Sequence, residues 1–130
     1  MSQRILLIED NEQNRYLATF LLERAGYQVV SAEDGAKGIA LAKQLLPDLI
    51  LLDIQLPTMD GHTVARVLRE DVTLRHTPVV AVTSYAMAGD RERCLAAGCT
   101  GYIEKPINPA TFIQEIGAYV AADASDGVEP

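Results

Sequence analysis

Cysteine is nearly absent: Cys94 and Cys99 are the two in a chain of 130 residues. Two thiols five positions apart make no disulfide framework, and no histidine lies near enough in sequence to complete a zinc set. They read as two small, partly buried side chains in a reducing compartment. Basic residues are also scarce. Eleven Lys and Arg face 18 Asp and Glu, a formal charge of −7. A net negative surface repels phosphate backbones, which argues against DNA, RNA and anionic membranes as partners. Long hydrophobic runs are missing too. The longest near-apolar stretch, Asp48-Leu49-Ile50-Leu51-Leu52-Asp53, is far too short to span a bilayer. Met1-Ser2-Gln3-Arg4 leads into an apolar run that ends at Glu9, which is no secretory signal. A cytoplasmic protein without a membrane span is the expectation. Internal repeats and low-complexity segments are absent.

What is present is an alternation. With 48% apolar and 22% charged residues the chain has a globular composition, and its length suits one domain. Strand-like segments are Arg4–Ile8, Gln28–Ala32, Leu49–Asp53, Val79–Thr83 and Gly101–Glu104. Leu49 to Leu52 and Val79 to Val82 are continuous apolar runs, as strands covered on both faces require. Helical patterns lie between them. In the first, Leu17, Phe20, Leu21 and Arg24 follow three- and four-residue steps, and Ala25-Gly26 gives a C-terminal stop. Gly35–Leu45, Gly61–Arg69, Met87–Ala97 and Pro109–Ala121 supply four more. Five strand–helix units argue for a doubly wound parallel sheet with helices on both faces. The expected domain is 1–122, and residues 123–130 read as a disordered polar tail, too short for an output module.

Doubly wound sheets bind ligands beyond the carboxyl ends of their strands. At those ends stand Glu9-Asp10, Asp53, Thr83-Ser84 and Lys105-Pro106. Any one of them alone is an ordinary helix cap or surface charge. Together, an acidic pair, a further acid, a hydroxyl and a lysine at four strand ends are hard to obtain as independent caps. Two like charges about 4 Å apart repel by roughly 4 kcal/mol at an effective dielectric near 20. Three carboxylates therefore need a cation or a proton, and Lys105 supplies one positive charge. An all-oxygen set with room for water suits Mg²⁺. Mg²⁺ beside a carboxylate nucleophile and a lysine is equipment for phosphoryl transfer.

Ile5-Leu6-Leu7-Ile8-Glu9-Asp10-Asn11, Pro47-Asp48-Leu49-Ile50-Leu51-Leu52-Asp53-Ile54-Gln55-Leu56-Pro57, Met59-Asp60-Gly61, Val82-Thr83-Ser84 and Tyr102-Ile103-Glu104-Lys105-Pro106 follow in order. With these pieces the chain resembles the receiver domains of two-component response regulators, from residue 4 to about 121. It looks like the stand-alone kind found in chemotaxis and cell-cycle regulation. The resemblance implies a flavodoxin-like sheet of order 2-1-3-4-5 and a phosphoacceptor switch that catalyses only its own phosphorylation and dephosphorylation. Asp53 would accept the phosphoryl group. Asp10, Asp53 and the Gln55 carbonyl would ligate Mg²⁺, with Glu9 acting through a metal-bound water. Glu9 stands where many receivers carry a second aspartate. Lys105 and Thr83 would contact phosphoryl oxygens, Ser84 would leave them space, and the Lys105-Pro106 bond would be cis. Tyr102 falls at the aromatic switch position. The implied partners are a histidine kinase or histidine phosphotransfer protein, and a downstream target at the face formed by helix 4, strand 5 and helix 5.

Two other classes compete. A phosphatase of the haloacid dehalogenase type also uses an Asp nucleophile with Mg²⁺, but needs a second Asp two residues on as general acid, where this chain has Gln55. A flavodoxin-like nucleotide binder cradles phosphate after the first strand, where Glu9-Asp10-Asn11-Glu12 would repel it. His62 and His76 read as surface histidines, and Met59 and Met87 as packing residues.

Overall fold

Parallel strands buried on both faces read as apolar runs, and the computed structural model, which describes residues 3–84 and 89–128, places five of them in one sheet. They are β1 (Arg4–Ile8), β2 (Gln28–Ala32), β3 (Leu49–Asp53), β4 (Val79–Thr83) and β5 (Gly101–Glu104), with the ranges expected. The order is β2-β1-β3-β4-β5, all parallel, the doubly wound arrangement. Helices α1 (Glu12–Arg24), α2 (Gly35–Leu45), α3 (Gly61–Glu70), α4 (Asp90–Ala96) and α5 (Phe112–Val128) connect and cover the strands.

The period-two alternation of the strands sorts their side chains into two cores. Leu6, Ile8, Ile50, Leu52, Val79 and Ala81 pack with Ala42 of α2, Val64 and Leu68 of α3, and Cys94 of α4. Ile5, Leu7, Leu49, Leu51, Val80 and Val82 pack with Leu22 of α1 and with Phe112 and Ile116 of α5. Each such Leu or Ile contributes about 1.5–3 kcal/mol by leaving water. Three helices start on caps that the sequence supplies. Asn11, Asp34 and Asp60 accept from the backbone N–H of Asn14, Lys37 and Thr63 at 2.9, 2.8 and 2.9 Å. Gly26, at φ +99°, makes the left-handed turn after α1 that the Ala25-Gly26 pair implied.

Several expectations change. The apolar stripe of α1 is rotated: Ala18 and Leu22 are buried, while Tyr16, Leu17 and Phe20 face outward. Small Ala18 lets the helix lie close to the sheet, which leaves the larger neighbours outside. Helix α4 begins at Asp90, and Met87 lies outside the described residues. Helix α5 starts at Phe112, after a turn in which Asn108 Oδ1 accepts the Ala110 N–H at 3.0 Å. It continues to Val128, so 123–128, expected as tail, is helical. Ala122 and Ala124 are strong helix formers, and no glycine or proline lies between Ala121 and Gly127.

His62 is buried rather than exposed, with Nδ1 3.8 Å from Asp60 Oδ1 and Nε2 3.7 Å from Cys94 Sγ. It sits on the inward face of α3, and α4 closes over it. His76 is exposed as expected. Cys94 and Cys99 are buried free thiols. They meet although five residues apart, because α4 ends between them and the Cys99 N–H turns back to the Cys94 carbonyl at 3.0 Å. Burial pushes both thiols up, Cys99 to about 12, so neither is a reactive thiolate.

Close approach at the start of α3 fixes the loop that follows Asp53. The Gly61 N–H donates to the Ile54 carbonyl at 2.9 Å, and a Cβ there would collide with Ile54 Cα and lie 2.9 Å from the Asp53 carbonyl oxygen. Gly61→Ala should therefore lower stability by about 1–3 kcal/mol, since backbone rather than a flexible side chain has to move. A urea midpoint equal to wild type would contradict this.

Candidate metal and acceptor site

The acidic pair is placed by β1. The Glu9 N–H still pairs with Ala32 O at 3.0 Å, and the chain then leaves the sheet toward α1. Asp53 is the last residue of β3, every residue of which is buried. Strands β1 and β3 are neighbours, so the acids of both meet over one edge. Carboxylate oxygens of Glu9, Asp10 and Asp53 lie within 4.8 Å of one another. Glu9 and Asp53 are 4% and 3% exposed, whereas Asp10 is open to solvent. Each buried acid accepts a backbone N–H two residues on: Asn11 to Glu9 Oε2 at 3.2 Å and Gln55 to Asp53 Oδ1 at 2.9 Å.

Lys105 closes the site from β5. Its Nζ lies 3.1 Å from Glu9 Oε1 and 3.2 Å from Asp53 Oδ2, and its backbone N–H holds Thr83 O at 2.8 Å. One ammonium between two buried carboxylates leaves negative charge uncompensated, and the titration behaviour reflects it. Burial, and then the neighbouring Asp53, push the Glu9 carboxyl up to about 7, against the pull of the Asn11 N–H and Lys105. Burial acts to lower the Lys105 pKa, but the charges of Asp53 and Glu9 outweigh it and hold it above the usual lysine value. An all-carboxylate donor set with two of its three members buried, and short of positive charge, fits a hard divalent cation such as Mg²⁺.

The other residues named from sequence divide into two groups. Thr83 is buried at the end of β4, in register with Glu104. Ser84 is exposed, and its hydroxyl and N–H both donate to Gln55 Oε1, at 2.6 and 3.3 Å. The Lys105-Pro106 bond is cis, as expected. These positions surround the acids. Tyr102 is set apart, two residues before the end of β5, half-buried, with its N–H donating to the Tyr119 hydroxyl at 3.4 Å. It lines a cavity of about 440 Å³ with Arg91, Glu104, Pro106, Asn108 and Thr111. Sequence reasoning missed Arg15. Its guanidinium donates to the carbonyls of Glu9 and Asp10, both at 3.0 Å, and so holds the loop that presents the acidic pair. Bonds to backbone carbonyls leave no residue pattern, so nothing in the sequence marked it.

The chain belongs to the response regulator receiver domain family, which matches residues 5–117. It is thus a signalling protein of two-component type. Among individual relatives it is 44% identical over 120 residues to the polar-differentiation response regulator DivK of Brucella ovis, covering 92% of this chain and 98% of that protein. Solved structures agree. The chemotaxis protein CheY4 of Vibrio cholerae superposes with a TM-score of 0.87 at 27% identity, over 92% of this chain and 99% of that one. The receiver domain of a Pseudomonas aeruginosa sensor histidine kinase gives 0.86 at 35% identity, over 93% and 99%, and was solved with a magnesium ion coordinated in its active site cleft. Among the described residues no helix is long and apolar enough to cross a membrane.

The raised Glu9 carboxyl has a measurable consequence. Its folded pKa of about 7 lies above the ordinary 4.5, so the folded state holds a proton that the unfolded chain gives up between those values. The resulting stability is present below pH 4.5 and is lost as pH rises through 7. In magnesium-free buffer Glu9→Gln should therefore raise stability at pH 8 by about 1–3 kcal/mol and change it little at pH 5. Melting curves with the same Glu9→Gln gain at both pH values would contradict the assignment.

Proposed function

We propose that the chain is a phosphoacceptor switch in which Asp53 takes a phosphoryl group from a histidine kinase or histidine phosphotransfer protein. The observation that carries this reading is the Lys105 ammonium, 3.2 Å from Asp53 Oδ2 and shared with Glu9, above an acidic cluster of metal-binding geometry. A carboxylate oxygen of Asp53 attacks phosphorus in line, the P–N bond of a phosphohistidine breaks, and the electron pair leaves with the imidazole nitrogen. Lys105 then follows the charge onto a phosphoryl oxygen, and the Thr83 hydroxyl donates to another. Ser84 is small and exposed, and leaves the approach open. Glu9, Asp10, Asp53 and the Gln55 carbonyl would hold Mg²⁺, which when bound offsets the charge of the transferring group. Gln55 ends in a carboxamide, which cannot serve as the general acid a phosphatase needs, so the acyl phosphate persists as a signal.

The signal leaves through β5. With Thr83 drawn toward the phosphoryl group, volume opens beneath α4, and a packed interior does not leave it empty. Tyr102 is the large side chain of the adjacent strand, packed against the core that α4 covers, and is placed to turn in. Its cavity among Arg91, Glu104, Asn108 and Thr111 lies on the face of α4, β5 and α5, where a downstream target reads its position.

Acetyl phosphate with Mg²⁺ should add one phosphoryl group, seen by intact mass, and Asp53→Asn should lose it. Equal labelling of the Asn variant would exclude Asp53 as acceptor. Mg²⁺ should raise the melting temperature of the unmodified protein by mass action, and Asp10→Ala should remove most of that rise. A magnesium-induced shift that survives Asp10→Ala unchanged would count against the proposed ligands.

A further inference from the structure

Asp90 opens α4, is 9% exposed, and has a buried Oδ2 with no hydrogen-bond partner. Removing a carboxylate oxygen from water without a donor is costly, and native folds seldom leave one so. Helix capping does not account for it: Gly89, not Asp90, occupies the N-cap, and no side chain caps the helix. Among the described residues no ion pair joins Asp90 to Arg91 or Arg93. Nor is Asp90 part of a metal set with His62, Cys94 and Cys99, since the acidic triad is the one cluster of metal-binding geometry among the described residues.

Helix α4 packs against β5, the strand that carries Tyr102. Asp90 and Cys94 are four apart on α4 and share its buried face, and the Tyr102 ring packs against the core to which Cys94 belongs. The Tyr102 hydroxyl is held above its ordinary pKa first by burial and next by the charge of Asp90. The same ring lines the outer cavity with Arg91 and Glu104.

We infer that Asp90 is the seat of the Tyr102 hydroxyl in the phosphorylated state: when the ring turns inward, its O–H donates to the Asp90 Oδ2 that lacks a donor at rest. This rests on the reading of Tyr102 as the moving side chain of a phosphoacceptor switch. The resting fold then carries the cost of an unpaired buried oxygen, and the active fold relieves it. Asp90 is a positioning residue and touches no reacting atom. A hydrogen bond to a carboxylate shifts the balance between the two ring positions by about ten- to a hundredfold.

The experiment uses the whole chain labelled with 3-fluorotyrosine, its five tyrosines read by ¹⁹F NMR and Tyr102 assigned from Y102F. Beryllofluoride with Mg²⁺ serves as the phosphoryl mimic. In wild type the Tyr102 resonance should move on beryllofluoride binding. D90A should return it toward the resting position and weaken beryllofluoride binding about tenfold. Y102F should weaken binding equally, and the double variant D90A/Y102F no further. At rest D90A should melt no lower than wild type, because it removes an unsatisfied group, which a merely structural aspartate would not do. D90N carries the same test with less disturbance and should keep part of the response. The inference fails if D90A and D90N both retain the wild-type shift and affinity, or if the D90A and Y102F losses add. Wild-type protein that binds beryllofluoride without moving Tyr102 also overturns it while leaving Asp53 as acceptor. No beryllofluoride binding at all overturns both readings.

Discussion

Lys105 spans 3.1 Å to Glu9 and 3.2 Å to Asp53, and the architecture of the active edge depends on that one ammonium. Three strands have to end at the same level for it to reach both acids. Glu9 follows β1, Asp53 ends β3, and Lys105 follows β5, so the contact ties the middle of the sheet to its edge. The ammonium neutralises less charge than it faces. A carboxyl held at about pH 7 by burial and a neighbouring acid is the mark of a pocket built for additional positive charge. The resting protein tolerates that repulsion because the surrounding apolar strands, not the acids, carry its stability.

Destabilisation confined to the site is useful in a switch. A cation or a phosphoryl group gains more at a strained cluster than at a relaxed one, and the difference is available to move something else. Backbone donors limit what can move. The N–H groups of Asn11 and Gln55 fix the two buried carboxylates, and Arg15 fixes the loop beneath the acidic pair. Gln55 and Ser84, by contrast, are joined through side-chain oxygens at the exposed rim, where a bond can be exchanged at little cost.

The far end of the same layer is clamped. Arg69 donates from α3 to the carbonyl of Gly98 at 2.6 Å, to Leu74 O at 3.0 Å and to Thr100 Oγ1 at 2.9 Å. The bonds to Gly98 and Thr100 hold the turn between α4 and β5 against α3. Among the described residues the start of α4 shows no such anchor: its N-cap is a glycine, no side chain caps it, and Asp90 Oδ2 is buried without a partner. Among the described contacts the α4–β5 layer is therefore tied more firmly at its far end than at the end nearer the acidic site.

Strand positions and the acidic set were legible because each leaves a periodic or chemical signal along the chain. Apolar runs such as Leu49 to Leu52 require burial on both faces, and an acidic pair, an acid, a hydroxyl and a lysine at four strand ends point to a common edge. Helix boundaries were less legible where helix propensity continues into a polar stretch, as it does in α5 beyond Ala121. The rotation of α1 was hidden because Ala18 and Leu22 are as apolar as Leu17 and Phe20, so polarity does not tell the two faces apart. Burial of His62 required α4 to close over α3, which spacing along one helix does not reveal. By itself the sequence determined the alternating fold, the acidic cluster at the strand ends and its excess of negative charge, since hydrophobic periodicity and charge are written residue by residue. Tertiary structure alone decided that Lys105 bridges two acids, that Arg15 grips their backbone, and that Asp90 Oδ2 is buried without a partner. Those contacts join residues from separate elements, and their distances come from how helices settle on the sheet.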